Sequence, residues 1–148
     1  MPRTRILLAD DHPQICELLR ILLEPEFQVV GSVADGEALL KVAHSLQPDV
    51  IISDIDMPKV TGLEALPLLK HVAPDTHVIF LTGHDEHTYL EAAFAAGAAG
   101  YLVKGTTNDL QGSLRTTIQS IQNPLARPGL TSLRSQHRRP SAGGQFGR

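Results

Sequence analysis

Residues 5–23, RILLADDHPQICELLRILL, change periodicity at a single point, and that change decides the fold class. The apolar run from Ile6 to Ala9 is too short for a buried helix and ends on two carboxylates, so residues 5–10 read as a buried strand. Pro13 then stands where a first helical turn needs no N–H. Ile15, Leu18, Leu19, Leu22 and Leu23 follow at i, i+3, i+4, i+7 and i+8, the stripe of a helix burying one face.

The alternation continues to residue 123. Residues 27–33 form a second, less uniformly apolar strand, nearer an edge. Asp35 caps a helix carrying Leu39, Val42, Ala43 and Leu46, which Pro48 stops. Residues 50–54 are a third strand and 63–72 a third helix, whose internal Pro67 should shift its start or bend it. Residues 78–82 are a fourth strand, and 86–96 a helix with Leu90, Ala93 and Phe94 inward, ended by Gly97 and Gly100. Residues 99–104 are the fifth strand. Thr107 or Asn108 caps a last helix bearing Leu110, Leu114, Ile118 and Ile121, in which Gly112 costs about 1 kcal/mol relative to Ala. Near-continuous apolar strands joined by amphipathic crossovers make a doubly wound α/β fold, a five-stranded parallel sheet with helices on both faces.

The composition agrees. A chain of 148 residues, 42% hydrophobic and 20% charged, is expected to form one globular domain. Its apolar runs fall far short of the about 20 residues needed to span a bilayer, and the start lacks a cleavage pattern, so the cytoplasm is the expected compartment. The single cysteine, Cys16, excludes an internal disulfide or a cysteine-based zinc site and is expected to pack on a helix. All 16 acidic residues precede Pro124, whereas residues 124–148 carry five arginines among Pro, Gly and Ser. The expected organisation is a domain over residues 1–123 and a basic, disordered tail over 124–148.

In such sheets ligands bind beyond the carboxyl ends of the strands, where the strand order reverses. Those ends carry Asp10 and Asp11, then Asp54, Thr82 and Lys104. Carboxylates brought together repel unless a cation joins them, and an oxygen-only set suits Mg²⁺. With an ammonium and a hydroxyl alongside, a carboxylate can act as nucleophile toward a phosphoryl group, giving an aspartyl phosphate.

Asp10-Asp11, PDVIISDIDMPKVTG (48–62), FLTG (80–83) and AGYLVKG (99–105) match in order and spacing, so that about residues 4–122 resemble the receiver domain of bacterial two-component response regulators. The resemblance implies a flavodoxin-like fold with strand order 2-1-3-4-5. It implies Asp54 as phosphoacceptor, Asp11 as a direct Mg²⁺ ligand beside Asp54, Asp10 as a ligand through water, and the Asp56 backbone carbonyl as a further ligand. Lys104 would pair with the phosphoryl group, Thr82 would turn its hydroxyl toward it, and Tyr101 would rotate inward, altering the surface of the fourth helix, fifth strand and fifth helix. The implied partner is a sensor histidine kinase or a phosphotransfer protein, with a homodimer on phosphorylation left open. The resemblance further suggests that Asp56 and His84 flank the path of hydrolytic water and set the phosphoryl lifetime, without a direction.

DDHP (10–13) and GAAGYLVK (97–104) resemble most the receivers joined to a LuxR/NarL-type helix-turn-helix domain. Residues 124–148 lack the apolar periodicity of a recognition helix, so DNA binding is not expected from them. A stand-alone receiver and a truncated or frame-shifted transcription factor both stay open. Other readings are weaker. Asp54-Ile55-Asp56 resembles the DxD of haloacid dehalogenase-type phosphatases, but there the DxD opens the chain and the acidic pair comes late. Flavin binding lacks a phosphate-cradling loop after the first strand. His84 and His87 have i, i+3 spacing without a matching third ligand, and Asp11 or Asp54 taken singly could be an ordinary cap.

Overall fold

The computed structural model describes residues 3–84, 86–105 and 109–122. Strands and helices alternate: β1 (Arg5–Ala9), α1 (Pro13–Leu23), β2 (Gln28–Val33), α2 (Gly36–Leu46), β3 (Val50–Ser53), α3 (Gly62–Val72), β4 (His77–Thr82), α4 (His87–Ala95), β5 (Gly100–Val103) and α5 (Leu110–Gln122). All strand pairs are parallel and the order is β2-β1-β3-β4-β5, as expected. The less apolar β2 is an edge strand. Among the described residues no helix is long and apolar enough to cross a membrane.

Because successive strand side chains point to opposite faces, each strand supplies two cores. Ile6, Leu8, Ile52, Ile79, Leu81 and Leu102 pack with Leu19 and Leu23 of α1 and Leu114 and Ile118 of α5. Leu7, Ala9, Ile51, Phe80, Tyr101 and Val103 pack with Leu39 of α2, Leu66 and Leu69 of α3 and Leu90 of α4. The sheet therefore has α1 and α5 on one face and α2, α3 and α4 on the other. The order reverses at β1, between β2 and β3, and the loops leaving β1 and β3 open the crevice there.

Several local expectations need correction. Leu18 is 45% exposed, since α1 turns Leu19 and Leu23 inward while Ile15 and Cys16 pack partly at the margin. Pro67 does not shift the start of α3: a capping box pairs the Thr61 hydroxyl with the Glu64 N–H and the Glu64 carboxylate with the Thr61 N–H, holding the helix from Gly62. Pro67 lies on the exposed side of α3, where the bond it removes faces water. Gly97, with φ +105°, ends α4 as expected, but Gly100 opens β5 instead. Asp35 caps α2 by accepting from the Ala38 N–H at 2.8 Å. The expected caps Thr107 and Asn108 lie outside the described residues, and the carboxylate of Asp109 accepts from the Gly112 N–H at 2.9 Å in the manner of an N-cap. The expected tail, residues 124–148, also lies outside them.

Candidate functional site

The carboxyl ends of β1 and β3 lie side by side, and the Asp54 N–H donates to the Ala9 carbonyl at 2.8 Å. This pairing sets Asp10 and Asp54 next to one another, both about 5% exposed. Two buried carboxylates at that separation need a cation. Lys104, one residue past β5, supplies it: Nζ donates to Asp10 Oδ2 at 2.9 Å and to Asp54 Oδ2 at 3.1 Å. Burial opposes the Lys104 charge, and the two carboxylates outweigh that effect, raising its pKa above the ordinary lysine value.

The other carboxylate oxygens are engaged as well. Asp54 Oδ1 accepts from the N–H of Ile55 at 2.7 Å and of Asp56 at 3.3 Å, so the loop after β3 wraps the side chain it presents. Asp10 Oδ1 accepts from the His12 N–H at 3.0 Å, and His12 Nδ1 stands 2.9 Å from it and 3.1 Å from Asp11 Oδ1. The hydrogen bond to Asp10 and then the charge of Asp11 raise the His12 pKa. Asp11 does not cap α1. The residue at that position is His12, whose side chain makes no capping bond.

Ligand atoms of Asp10, Asp11, His12 and Asp54 all fall within 4.8 Å of one another. Three carboxylates in one crevice, two of them joined by the Lys104 ammonium and with the His12 ring alongside, form a donor set that fits a hard divalent cation such as Mg²⁺. His12 was not singled out as a candidate residue in the sequence. The signal for it was its place two residues after Asp10, where a tight turn folds the ring back onto the carboxylate. Cys16 packs below, its thiol directed at the Asp10 carbonyl at 3.7 Å, and burial pushes its pKa up.

Thr82 ends β4 fully buried, with its hydroxyl accepting from the His84 N–H at 3.3 Å. Tyr101 is only 1% exposed and lies inward, edge-on to Phe80, with its hydroxyl donating to the His84 carbonyl at 2.7 Å. The Asp56 side chain does not join the acidic cluster. Its Oδ2 meets His84 Nε2 at 2.5 Å. Burial opposes a charge on His84, but the hydrogen bond and charge of Asp56, followed by those of Glu86, raise its pKa. His87 turns to Glu91 at 2.9 Å, so His84 and His87 go to different carboxylates and make no metal pair.

A model of the response regulator receiver domain matches residues 6–115. The chain belongs to that family. This receiver is 33% identical over 110 residues to the transcriptional regulatory protein MctR of Rhizobium johnstonii, covering 73% of this chain and 51% of that protein. It is 42% identical over 104 residues to the transcriptional regulatory protein DegU of Brevibacillus brevis, covering 69% and 44%. The receiver thus spans about half the length of these curated relatives. Among solved structures, the signal receiver domain of NarL from Mycobacterium tuberculosis matches with a TM-score of 0.75 at 27% identity, over 83% of this chain and 99% of that one. A DNA-binding response regulator of the LuxR family from Staphylococcus aureus matches with a TM-score of 0.73 at 27% identity, over 81% and 99%. The family, the fold and a role in two-component signalling are therefore those read from the sequence.

Proposed function

We propose that residues 1–123 act in the cytoplasm as a phosphorylatable receiver, with 124–148 as a basic tail, and that Asp54 takes a phosphoryl group from a histidine kinase or phosphotransfer protein. The observation that carries this is the placement of the buried Asp54 carboxylate, wrapped by its own loop on one oxygen and held by Lys104 on the other. In the transfer, an Asp54 carboxylate oxygen forms a bond to phosphorus as the bond to the donor imidazole nitrogen breaks, and the imidazole leaves with the electron pair. Lys104 balances charge on the phosphoryl oxygens, and Thr82 offers its hydroxyl to one of them once it parts from the His84 N–H. Asp10, Asp11, Asp54 and the Asp56 carbonyl would hold Mg²⁺, which when bound supplies positive charge to the same oxygens.

Tyr101 and Thr82 form the switch, read at the surface of α4, β5 and α5. The phosphodonor must reach Lys104. Beside it the α1–α5 flank offers a cavity of about 190 Å³ lined by Ile15, Leu18, Leu81 and Leu110, with Leu18 and Ile21 exposed on α1. The protein does not turn over external substrates, apart from loss of its own phosphoryl group. That separates it from a haloacid dehalogenase-type phosphatase, whose general acid would be Asp56, here turned to His84. Because the curated relatives are named transcriptional regulators and the chain spans about half of them, a receiver taken from a DNA-binding regulator is the second reading.

Intact mass after incubation with Mg²⁺ and acetyl phosphate tests the proposal. One hydroxylamine-labile phosphoryl group, absent without Mg²⁺ and in Asp54→Ala, is expected. An unchanged mass, or steady hydrolysis of the donor independent of Asp54, would overturn it.

A further inference from the structure

The loop between β3 and α3 rests on the first turn of α2, a helix that supplies none of the site residues named so far. A Cβ at the buried Gly36 would stand 2.0 Å from the Val60 carbonyl oxygen and 2.7 Å from the Val60 carbonyl carbon and Cβ, so main chain meets main chain there. Next to this contact Lys59 holds φ +71°, and the Val60 N–H closes a γ-turn on the Pro58 carbonyl at 2.8 Å. A γ-turn with positive φ is strained and persists only where its surroundings over-determine it. The residues flanking Gly36 contribute to that. Lys59 Nζ lies 3.5 Å from Glu37 Oε1 and 3.9 Å from Asp35 Oδ2, while Asp35 Oδ1 caps α2 through the Ala38 N–H.

From this arrangement we infer that Gly36 and Lys59 are positioning residues of the cation site: the first turn of α2 fixes where the loop after β3 presents the Ile55 and Asp56 N–H groups to Asp54, and with them the Asp56 carbonyl. This rests on the Mg²⁺ reading of that carbonyl. The loop has little slack to absorb a push at Val60. Thr61 is held by the capping box of α3, the Gly62 N–H closes the loop on the Ile55 carbonyl at 2.8 Å, and the ring of Pro58 restricts the chain between them. Displacement at Val60 therefore passes back through the turn at Lys59 to residues 55–57, where the side chains of Ile55 and Met57 are buried. A side chain at position 36 thus acts on the surroundings of Asp54 through the loop alone.

The test is calorimetric titration of the full chain with Mg²⁺, without phosphodonor, while NMR follows the Ile55 and Asp56 amide signals. Gly36→Ala is expected to shift both amides in the metal-free protein and to weaken Mg²⁺ binding about tenfold, the low end for losing a group that orients a ligand. Adding Lys59→Gly, which relieves the left-handed strain and lets the turn yield, is expected to recover most of that loss, whereas two independent defects would add. Lys59→Met changes an exposed side chain and leaves the fold intact. It is expected to weaken Mg²⁺ about twofold, in keeping with an exposed pair, although removal of a positive charge by itself would tighten binding. Lys59→Arg keeps the pairing and is expected to bind as wild type does. Leu19→Ala, which destabilises the other face of the sheet, should leave the affinity unchanged. Unmoved amides with unchanged affinity in Gly36→Ala, or tighter Mg²⁺ binding in Lys59→Met, would overturn the inference. Absence of Mg²⁺ binding in wild type would instead sink the Mg²⁺ reading, and the two amides would still report whether α2 sets the loop.

Discussion

Lys104 and Asp10 lie 94 positions apart in sequence and 2.9 Å apart in space, joined across the crevice from the end of β5 to the end of β1. The same ammonium reaches Asp54, so one cation holds two buried carboxylates at the centre of the site. Replacing Lys104 with Met strands both. The expected cost is about 3 kcal/mol, the low end for breaking a buried pair because the Lys104 side chain keeps 26% exposure. Urea denaturation without divalent ions would measure it, and an unchanged midpoint would show that the pair adds nothing. The raised Lys104 pKa places this contribution fully below the unfolded lysine value, to be lost only as pH rises through the higher folded one.

Divalent cation should restore what Lys104→Met removes. Mg²⁺ binding only the folded state stabilises it by about 2.7 kcal/mol at a concentration one hundredfold above its dissociation constant. The gain is expected to be larger in Lys104→Met than in wild type, because the carboxylates then lack their ammonium, and to shrink in Asp11→Asn. Melting curves at increasing Mg²⁺ check this. Equal gains in wild type and Asp11→Asn would remove Asp11 from the ligand set.

Gly62 opens α3 in close contact with the backbone of Asp54, the proposed phosphoacceptor. A Cβ there would stand 2.4 Å from the Asp54 carbonyl oxygen and 2.9 Å from Phe80 Cε1, and neither the backbone nor the buried ring can give way cheaply. Gly62→Ala is expected to cost about 3 kcal/mol, the upper range for overpacking, and to reduce labelling of Asp54 by acetyl phosphate. A variant as stable as wild type would mean that the loop after β3 yields more readily than its contacts suggest.

In α5, exchanging Gly112 for Ala would ordinarily gain about 1 kcal/mol in a helix. Here the new Cβ would lie 2.2 Å from Asp109 Oδ2, the side chain capping the helix. Gly112→Ala alone is therefore expected to give little or nothing. Asp109→Ala alone should cost about 1 kcal/mol, and in that background Gly112→Ala should recover most of it. Thermal melts of the three variants decide, and simple additivity would count against the clash.

Leu18 and Leu19 are neighbours in sequence with opposite fates. Leu19→Ala empties part of the core between α1, α5 and the sheet and is expected to cost about 3 kcal/mol. Leu18→Ala, at a half-exposed site, is expected to stay within about 0.5 kcal/mol of wild type. Comparable losses from both would mean that α1 buries the wider stripe suggested by its spacing.

The apolar runs and helical stripes were legible in the sequence because their periods, two and 3.6, follow from backbone geometry alone. Strand ends carrying Asp10, Asp54, Thr82 and Lys104 followed from them, since parallel strands must all point their carboxyl ends to one side. Local rules also placed the Asp35 cap and the end of α4 at Gly97. What tertiary structure alone decided were contacts between residues remote in sequence: which part of the α1 stripe meets the sheet, which cation holds Asp10 and Asp54, and which residue links Asp56 to Thr82 and Tyr101. Asp56 and His84 are 28 positions apart, and no periodicity relates them. The meeting of the two loops at the crevice does, because it is set by the order of strands β3 and β4 in the folded sheet.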